Sequence, residues 1–111
     1  MLSLENRLTT PSEFYQIKKF GKKISNNFFN ILYIFNYNKE SKFSFTISKK
    51  FCPKASDRNR IKRISRALVR ESFDSFPKGT QAIIFPKTKI LNTPHNLLLK
   101  EFNTLINGIK A

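Results

Sequence analysis

ASDRNRIKRISRALVR, residues 55–70, is the stretch that decides the fold of this chain. Successive residues of a helix are separated by about 100°, so its side chains divide between two flanks. The apolar flank carries Ile61, Ile64, Ala67 and Leu68, which is the spacing of a half-buried helix. The basic flank carries Arg58, Lys62, Arg63, Arg66 and Arg70, with Asn59 and Arg60 at its edges. We expect Ser56 or Asp57 to cap the first turn.

The charge of this region is almost entirely positive. From Lys49 to Arg70 there are nine basic residues and one acid, Asp57. Solvated helix faces usually mix both signs, and like charges one turn apart repel each other. The pattern therefore predicts a polyanionic partner, and nucleic acid is favoured over a plain solvated face or a membrane surface. A membrane-binding helix would need bulky apolar anchors, whereas the apolar residues here are better explained as core.

Length and total charge agree with that prediction. A chain of 111 residues is expected to form one domain, residues 1–111, with residues 1–9 as a flexible arm. Lys and Arg total 21 against seven Asp and Glu, a net charge of +14. Such an excess indicates a phosphate-rich partner. No obligate protein partner is evident from the sequence.

Several other classes of protein are disfavoured. The chain has no apolar run of about 18 residues, so no membrane segment is predicted, and its start does not resemble a signal peptide. Cys52 is the only cysteine, which excludes an internal disulfide and fits the cytoplasm. His95 has no obvious partner, the acids are scattered, and three glycines form no phosphate loop. We predict no catalytic residue and no protein-bound metal, and we assign no role to Cys52 or His95.

The rest of the chain is predicted to alternate helices and strands. Thr10 and Pro11 begin a first helix that Gly21 ends, and Thr93-Pro94 begins the last one. Strands are predicted at residues 22–25, 28–37, 43–48 and 81–85, the last buried on both faces. The second and third strands are expected to pair as an antiparallel hairpin across a turn at residues 38–41.

This order predicts an α+β fold. It is a two-layer sandwich in which three helices cover a four-stranded mixed sheet. The helix at residues 55–70 joins two strands as a strand–helix–strand crossover.

Aromatic side chains supply a second kind of nucleic-acid contact. Most of the 12 Phe residues are expected in the core. Exposed rings beside basic residues stack on unpaired bases. The candidates are Phe14, Tyr33 and Phe45, with Lys18 and Lys49 near them in the pattern.

The motif Arg58-Asn59-Arg60-Ile61-Lys62-Arg63, followed by Arg66, resembles the signature of the protein subunit of bacterial ribonuclease P. Four further segments resemble that family: Arg7 to Phe14, Ile31-Leu32-Tyr33, Ser44 to Lys50, and Ala82 to Phe85.

The resemblance implies a function in tRNA processing. The family's catalyst is an RNA subunit with bound magnesium, which removes the 5′ leader of precursor tRNA. Its protein subunit binds that RNA through the signature helix, and holds the single-stranded leader in a cleft between the first helix and the sheet. The implied RNA-binding residues are Arg58, Asn59, Arg60, Lys62, Arg63 and Arg66, to which the charge pattern adds Arg70, Lys49 and Lys50. The implied cleft residues are Phe14, Lys18, Tyr33 and Phe45.

The resemblance also implies a left-handed crossover, in a fold like the second domain of a ribosomal protein. Right-handed crossovers are otherwise the rule. An RNA-binding module without linked chemistry, such as a small ribosomal protein or an RNA chaperone, is the alternative function.

Overall fold

The computed structural model describes residues 11–35 and 41–109. The arm expected at residues 1–9, the Thr10 cap and most of the turn at residues 38–41 lie outside these ranges. The helices are α1 (Pro11–Phe20), α2 (Ala55–Glu71) and α3 (His95–Ile106). The strands are β1 (Lys22–Ser25), β2 (Phe29–Phe35), β3 (Lys42–Phe45) and β4 (Thr80–Pro86). Short 3-10 turns occupy Phe73–Ser75 and Thr88–Asn92.

The four strands form one mixed sheet in the order β1-β2-β4-β3. The predicted hairpin between the second and third strands is wrong, because β4 lies between them. Ile84 of β4 is opposite Ile31 of an antiparallel β2 and opposite Phe45 of a parallel β3. The apolar β4 gains the most burial in this central position. The β3–α2–β4 crossover is confirmed, and its left-handed sense stays a prediction.

The two faces of the sheet are covered by different helices. Helices α2 and α3 pack on one face, where Phe29 of β2 meets Phe102 of α3 with ring centroids 5.1 Å apart. On the other face, Ile17 of α1 packs against Ile83 of β4 in a smaller cluster. The predicted α+β class, with three helices and a four-stranded mixed sheet, is confirmed. The sheet with α2 and α3 makes the two-layer sandwich, and α1 lies against the opposite face.

Helix α1 begins at Pro11, as predicted, and ends at a glycine that the packing requires. The Gly21 N–H donates to the carbonyl oxygen of Ile17 at 2.8 Å. A Cβ at Gly21 would collide with that oxygen and approach Leu32 Cδ1 at 3.0 Å. Only glycine therefore lets the chain turn from α1 into β1 at this distance from the sheet.

Helix α2 begins at Ala55, as the stretch at residues 55–70 predicts, but the side-chain caps predicted for its first turn do not form. The residue at its N-cap is Lys54, and no side chain caps the helix, so the caps predicted at Ser56 and Asp57 are wrong. Asp57 lies in the first turn, where a negative charge still favours the helix dipole. The helix ends at Glu71, and the chain then tightens into the 3-10 turn at Phe73–Ser75.

The buried flank of α2 holds Ile61, Ser65, Leu68 and Val69. Ser65 was not predicted there because its side chain is polar. Its hydroxyl donates to the carbonyl oxygen of Ile61 at 2.8 Å, which satisfies the buried group. Helix α3 buries Leu98, Phe102 and Ile106 along one face, at the spacing of a half-buried helix. Pro94 is its N-cap rather than its first residue.

Candidate nucleic-acid interface

The exposed flank of α2 is a narrow row of polar and cationic side chains. Asn59, Arg63, Arg66 and Arg70 are exposed and fall within an arc of about 60° on a helical projection. This arc is opposite the buried flank, so the packing of the helix fixes the direction of the row. We call these four residues the α2 stripe. Arg60 is exposed at its edge, and Lys62 is half-buried beside it.

No carboxylate of the described residues forms an ion pair with an arginine of the α2 stripe. Within residues 11–35 and 41–109, Glu13 forms an ion pair with Lys42, and Glu71 lies within hydrogen-bond distance of His95. Neither contact involves an arginine. The His95 Nε2 lies 3.1 Å from both carboxylate oxygens of Glu71, so His95 has a partner that the sequence did not suggest. The arginines of the stripe are thus available to an anionic partner.

Arg58 differs from the rest of the basic flank. Its Nη1 donates to the carbonyl oxygens of Cys52 at 2.9 Å and Pro53 at 2.8 Å. These contacts bind the guanidinium to the loop that precedes α2. Arg58, predicted as an RNA contact, is therefore at least partly committed to holding the chain in place.

The loop before α2 extends the basic surface. Lys49 and Lys50 are exposed there, as their predicted role requires. The Ser48 carbonyl accepts from the Cys52 N–H at 2.9 Å, and the Ser48 hydroxyl accepts from the Lys50 N–H at 3.1 Å. The ring of Phe51 is 77% exposed, and Lys50 Nζ lies 5.9 Å from its centroid.

The residues predicted to form one cleft lie on two faces of the sheet. Phe14, half-buried, and Lys18, exposed, belong to α1. Tyr33 is only 4% exposed and packs in the core under α2 and α3, and the half-buried Phe45 packs against the same core. Successive strand residues point to opposite faces, so the residues of β2 that pack with α1 are Leu32 and Ile34. Tyr33 and Phe45 therefore do not share a cleft with Phe14 and Lys18.

A groove of about 710 Å³ does lie at one end of the sheet. Leu32 and Phe85 from the α1 face contribute apolar walls, and Lys23 and Lys87 contribute positive charge. The groove also reaches Phe51, in the loop before α2. Sequence reasoning did not select Leu32, Phe85, Lys23 or Lys87. The alternation of β2 and β4 places Leu32 and Phe85 on the face opposite Tyr33 and Ile84, but both faces are apolar, so it did not indicate which face meets α1.

The described residues offer little to a metal ion. Within residues 11–35 and 41–109 no three His, Cys, Asp or Glu side chains are grouped closely enough to bind one. Magnesium prefers oxygen ligands, chiefly carboxylates, and the groove lining contains lysines and no carboxylate. These residues therefore do not fit a protein-held magnesium site. Over the same ranges, no helix has both the length and the apolar character needed to cross a membrane.

Comparison with known proteins agrees with this geometry. The family model described as Ribonuclease P matches residues 2–110. The chain belongs to the ribonuclease P protein family. The ribonuclease P protein component of Finegoldia magna is 37% identical over 81 residues, which cover 73% of this chain and 70% of that protein. That of a Nitratiruptor species is 32% identical, covering 93% of this chain and 91% of that protein.

Solved structures of ribonuclease P proteins confirm the fold. The ribonuclease P protein of Thermotoga maritima superposes with a TM-score of 0.82 and 27% identity, covering 95% of this chain and 98% of that one. The resemblance drawn from the motif at residues 58–66 is thereby confirmed. As a ribonuclease P protein component, the chain takes part in an endoribonuclease complex that contains RNA.

Proposed function

We propose that this chain binds the catalytic RNA of ribonuclease P through the α2 stripe, and the 5′ leader of precursor tRNA in the groove. The observation that carries the first part is the row of exposed, unneutralised arginines on a helix anchored by its buried flank. Asn59 adds an amide that can donate to phosphate or to a base edge. Lys49, Lys50, Arg60 and Lys62 widen the same surface.

The affinity for RNA comes chiefly from counterion release. Each phosphate neutralised by Arg or Lys frees condensed cations, so affinity falls with salt by a log–log slope of about 0.7–0.9 per contact. Arginine suits this task because its planar fork matches two phosphate oxygens at once. A rigid helix loses less freedom on binding than a mobile segment would.

The groove suits an unpaired strand rather than a duplex. Its apolar walls, Leu32 and Phe85, can contact the faces of bases. Lys23 and Lys87 line the same groove and can bind the phosphates of that strand. Such a surface holds single-stranded nucleic acid with little preference for sequence. We assign the leader of precursor tRNA to it. Phe14 and Lys18, on the helix that covers this face, remain candidates for further leader contacts.

The cleavage itself we assign to the RNA subunit and to magnesium bound by that RNA. This assignment follows from membership of the family. The protein's own part is to bind the leader and so orient the substrate. We expect this action in the bacterial cytoplasm, where precursor tRNA is made.

Reconstitution tests the proposal. The full chain is combined with a ribonuclease P RNA and precursor tRNA at a magnesium concentration where the RNA alone cleaves slowly. The account expects faster cleavage with the protein, and loss of the gain when Arg63, Arg66 and Arg70 are all replaced by alanine. A protein that binds both RNAs without any gain in cleavage would instead support a ribosomal protein or an RNA chaperone.

A further inference from the structure

We infer that Phe51 stacks on one unpaired base of the leader, and that Arg58 is a positioning residue that holds Phe51 in place. This inference rests on the proposed function, and it names a contact that the charge pattern does not. The ligand is a single nucleotide of a single-stranded segment. Any base would serve, because every base has a π face.

The first observation is the exposure of the Phe51 ring. At 77% it is the most exposed large apolar side chain of the described residues, ahead of Phe20 at 69% and Tyr15 at 61%. An apolar ring in water is unfavourable, and burying it against a partner recovers that free energy. A loop that presents such a ring beside a cation is typical of surfaces that bind single strands.

The second observation is that the loop is held from both sides. Ser48 accepts hydrogen bonds from the backbone of Lys50 and Cys52, so the residues around Phe51 form a closed turn. Arg58, in the first turns of α2, donates to the carbonyls of Cys52 and Pro53. The ring is therefore presented by an ordered loop, and Arg58 is the side chain that joins this loop to α2.

The third observation is the location of the ring. Phe51 lines the groove, and four residues later the chain enters α2, which carries the stripe. The ring thus lies where a strand leaving the groove would meet the surface that faces the catalytic RNA. Lys50 Nζ, 5.9 Å from the ring centroid, is placed to neutralise a phosphate beside the stacked base.

The test compares Phe51→Leu with the matched control Phe20→Leu. Phe20 is also exposed and has Lys19 Nζ 5.4 Å from its ring, but it does not line the groove. Each full-length variant is assembled with the catalytic RNA, and the Kd is measured for precursor tRNA and for mature tRNA. We expect Phe51→Leu to weaken precursor binding by at least about fivefold and to leave mature tRNA binding unchanged. Phe20→Leu should change neither.

A scan with abasic nucleotides locates the stacked base. Removing one leader base at a time retains each phosphate and deletes only the stacking surface. An abasic nucleotide at one position should weaken precursor binding to the wild-type complex by the same factor as Phe51→Leu does. The same abasic nucleotide should not weaken binding to the Phe51→Leu complex any further. The inference is overturned if every abasic position weakens both complexes equally, or if Phe51→Leu discriminates precursor from mature tRNA as well as the wild type does.

Arg58→Lys tests the positioning role, because it retains the charge and removes the guanidinium. We expect it to reproduce the loss seen for Phe51→Leu, and to add little when both changes are combined. Lys78→Arg, at an exposed turn outside the groove and the α2 stripe, is the control for a change of cation away from the loop. Full additivity of Arg58→Lys and Phe51→Leu would overturn this role. Failure of the wild-type complex to distinguish precursor from mature tRNA would overturn the leader assignment and this inference together.

Discussion

Lys42 Nζ lies 3.1 Å from Glu13 Oε2, and this ion pair joins helix α1 to the first residue of β3. The Glu13 side chain is only 8% exposed and that of Lys42 is 24% exposed. The pair therefore lies where water screens it weakly. It fastens α1 across the sheet face that Ile17 and Phe14 cover.

Replacing Lys42 with alanine should lower the free energy of unfolding by about 1–3 kcal/mol, because the largely buried Glu13 carboxylate loses the ammonium group that lies 3.1 Å from it. Urea denaturation measures this directly. Lys78→Ala, an exposed lysine in a turn, removes the same charge and should change stability by less than about 0.5 kcal/mol. Equal losses for the two variants would mean that the ion pair adds nothing.

Substitutions on the two flanks of α2 should differ in their effect on stability. Leu68 is fully buried, so Leu68→Ala should cost about 2–5 kcal/mol of stability through the cavity it leaves. Arg66 lies two residues earlier on the exposed flank, so Arg66→Ala should lower the free energy of unfolding by less than about 0.5 kcal/mol. Thermal and urea unfolding of both variants check this. A large loss for Arg66→Ala would show that its side chain is part of the fold.

Binding of the catalytic RNA should depend on the α2 stripe in a salt-sensitive way. Arg63→Ala and Arg66→Ala should each weaken binding and reduce the log–log salt slope by about 0.7–0.9, the contribution of one phosphate contact. The measurement is a salt titration of the Kd for each variant. Lys78→Ala, which lowers the net charge equally, should leave the slope unchanged. If the salt slope falls as much for Lys78→Ala, RNA binding depends on the overall positive charge of the protein and not on a defined site at the α2 stripe.

Much of this surface was predictable from sequence, and the reason is the helical period. The apolar and basic residues of α2 separate at 100° per residue, so the burial of Ile61 and Leu68 and the exposure of Arg63, Arg66 and Arg70 follow from spacing. Val69 is also buried, although it was not predicted on that flank. The motif at residues 58–66 led correctly to the family. Ser65 was missed because a hydroxyl that bonds back to its own helix behaves as a core residue.

The sheet was harder because strand pairing depends on distant residues. The apolar β4 enters between β2 and β3, and no local signal in residues 28–48 reveals that separation. The face of each β2 residue was also uncertain. Both faces are apolar, so the sequence did not indicate whether Tyr33 or Leu32 meets α1. For that reason the predicted cleft combined residues from both faces of the sheet. The prediction of α2 did not depend on strand pairing.

Two adjacent lysines of β1 should contribute differently to precursor tRNA binding. Lys23 lines the groove and Lys22 does not, since neighbouring strand residues point to opposite faces. Lys23→Ala should weaken precursor tRNA binding several-fold and spare mature tRNA, because one leader phosphate loses its cation. Lys22→Ala is the matched control, and both Kd values are compared in the assembled complex. Equal effects of the two substitutions would contradict the location of the leader.

The most direct test of the account places a photo-reactive amino acid at position 66 or at position 104 of the full chain. Arg66 belongs to the α2 stripe, and Thr104 is exposed on α3. Each protein is assembled with the catalytic RNA and irradiated. The account predicts strong cross-links to that RNA from position 66 and few from position 104. Cross-links from position 104 with none from position 66 would contradict it.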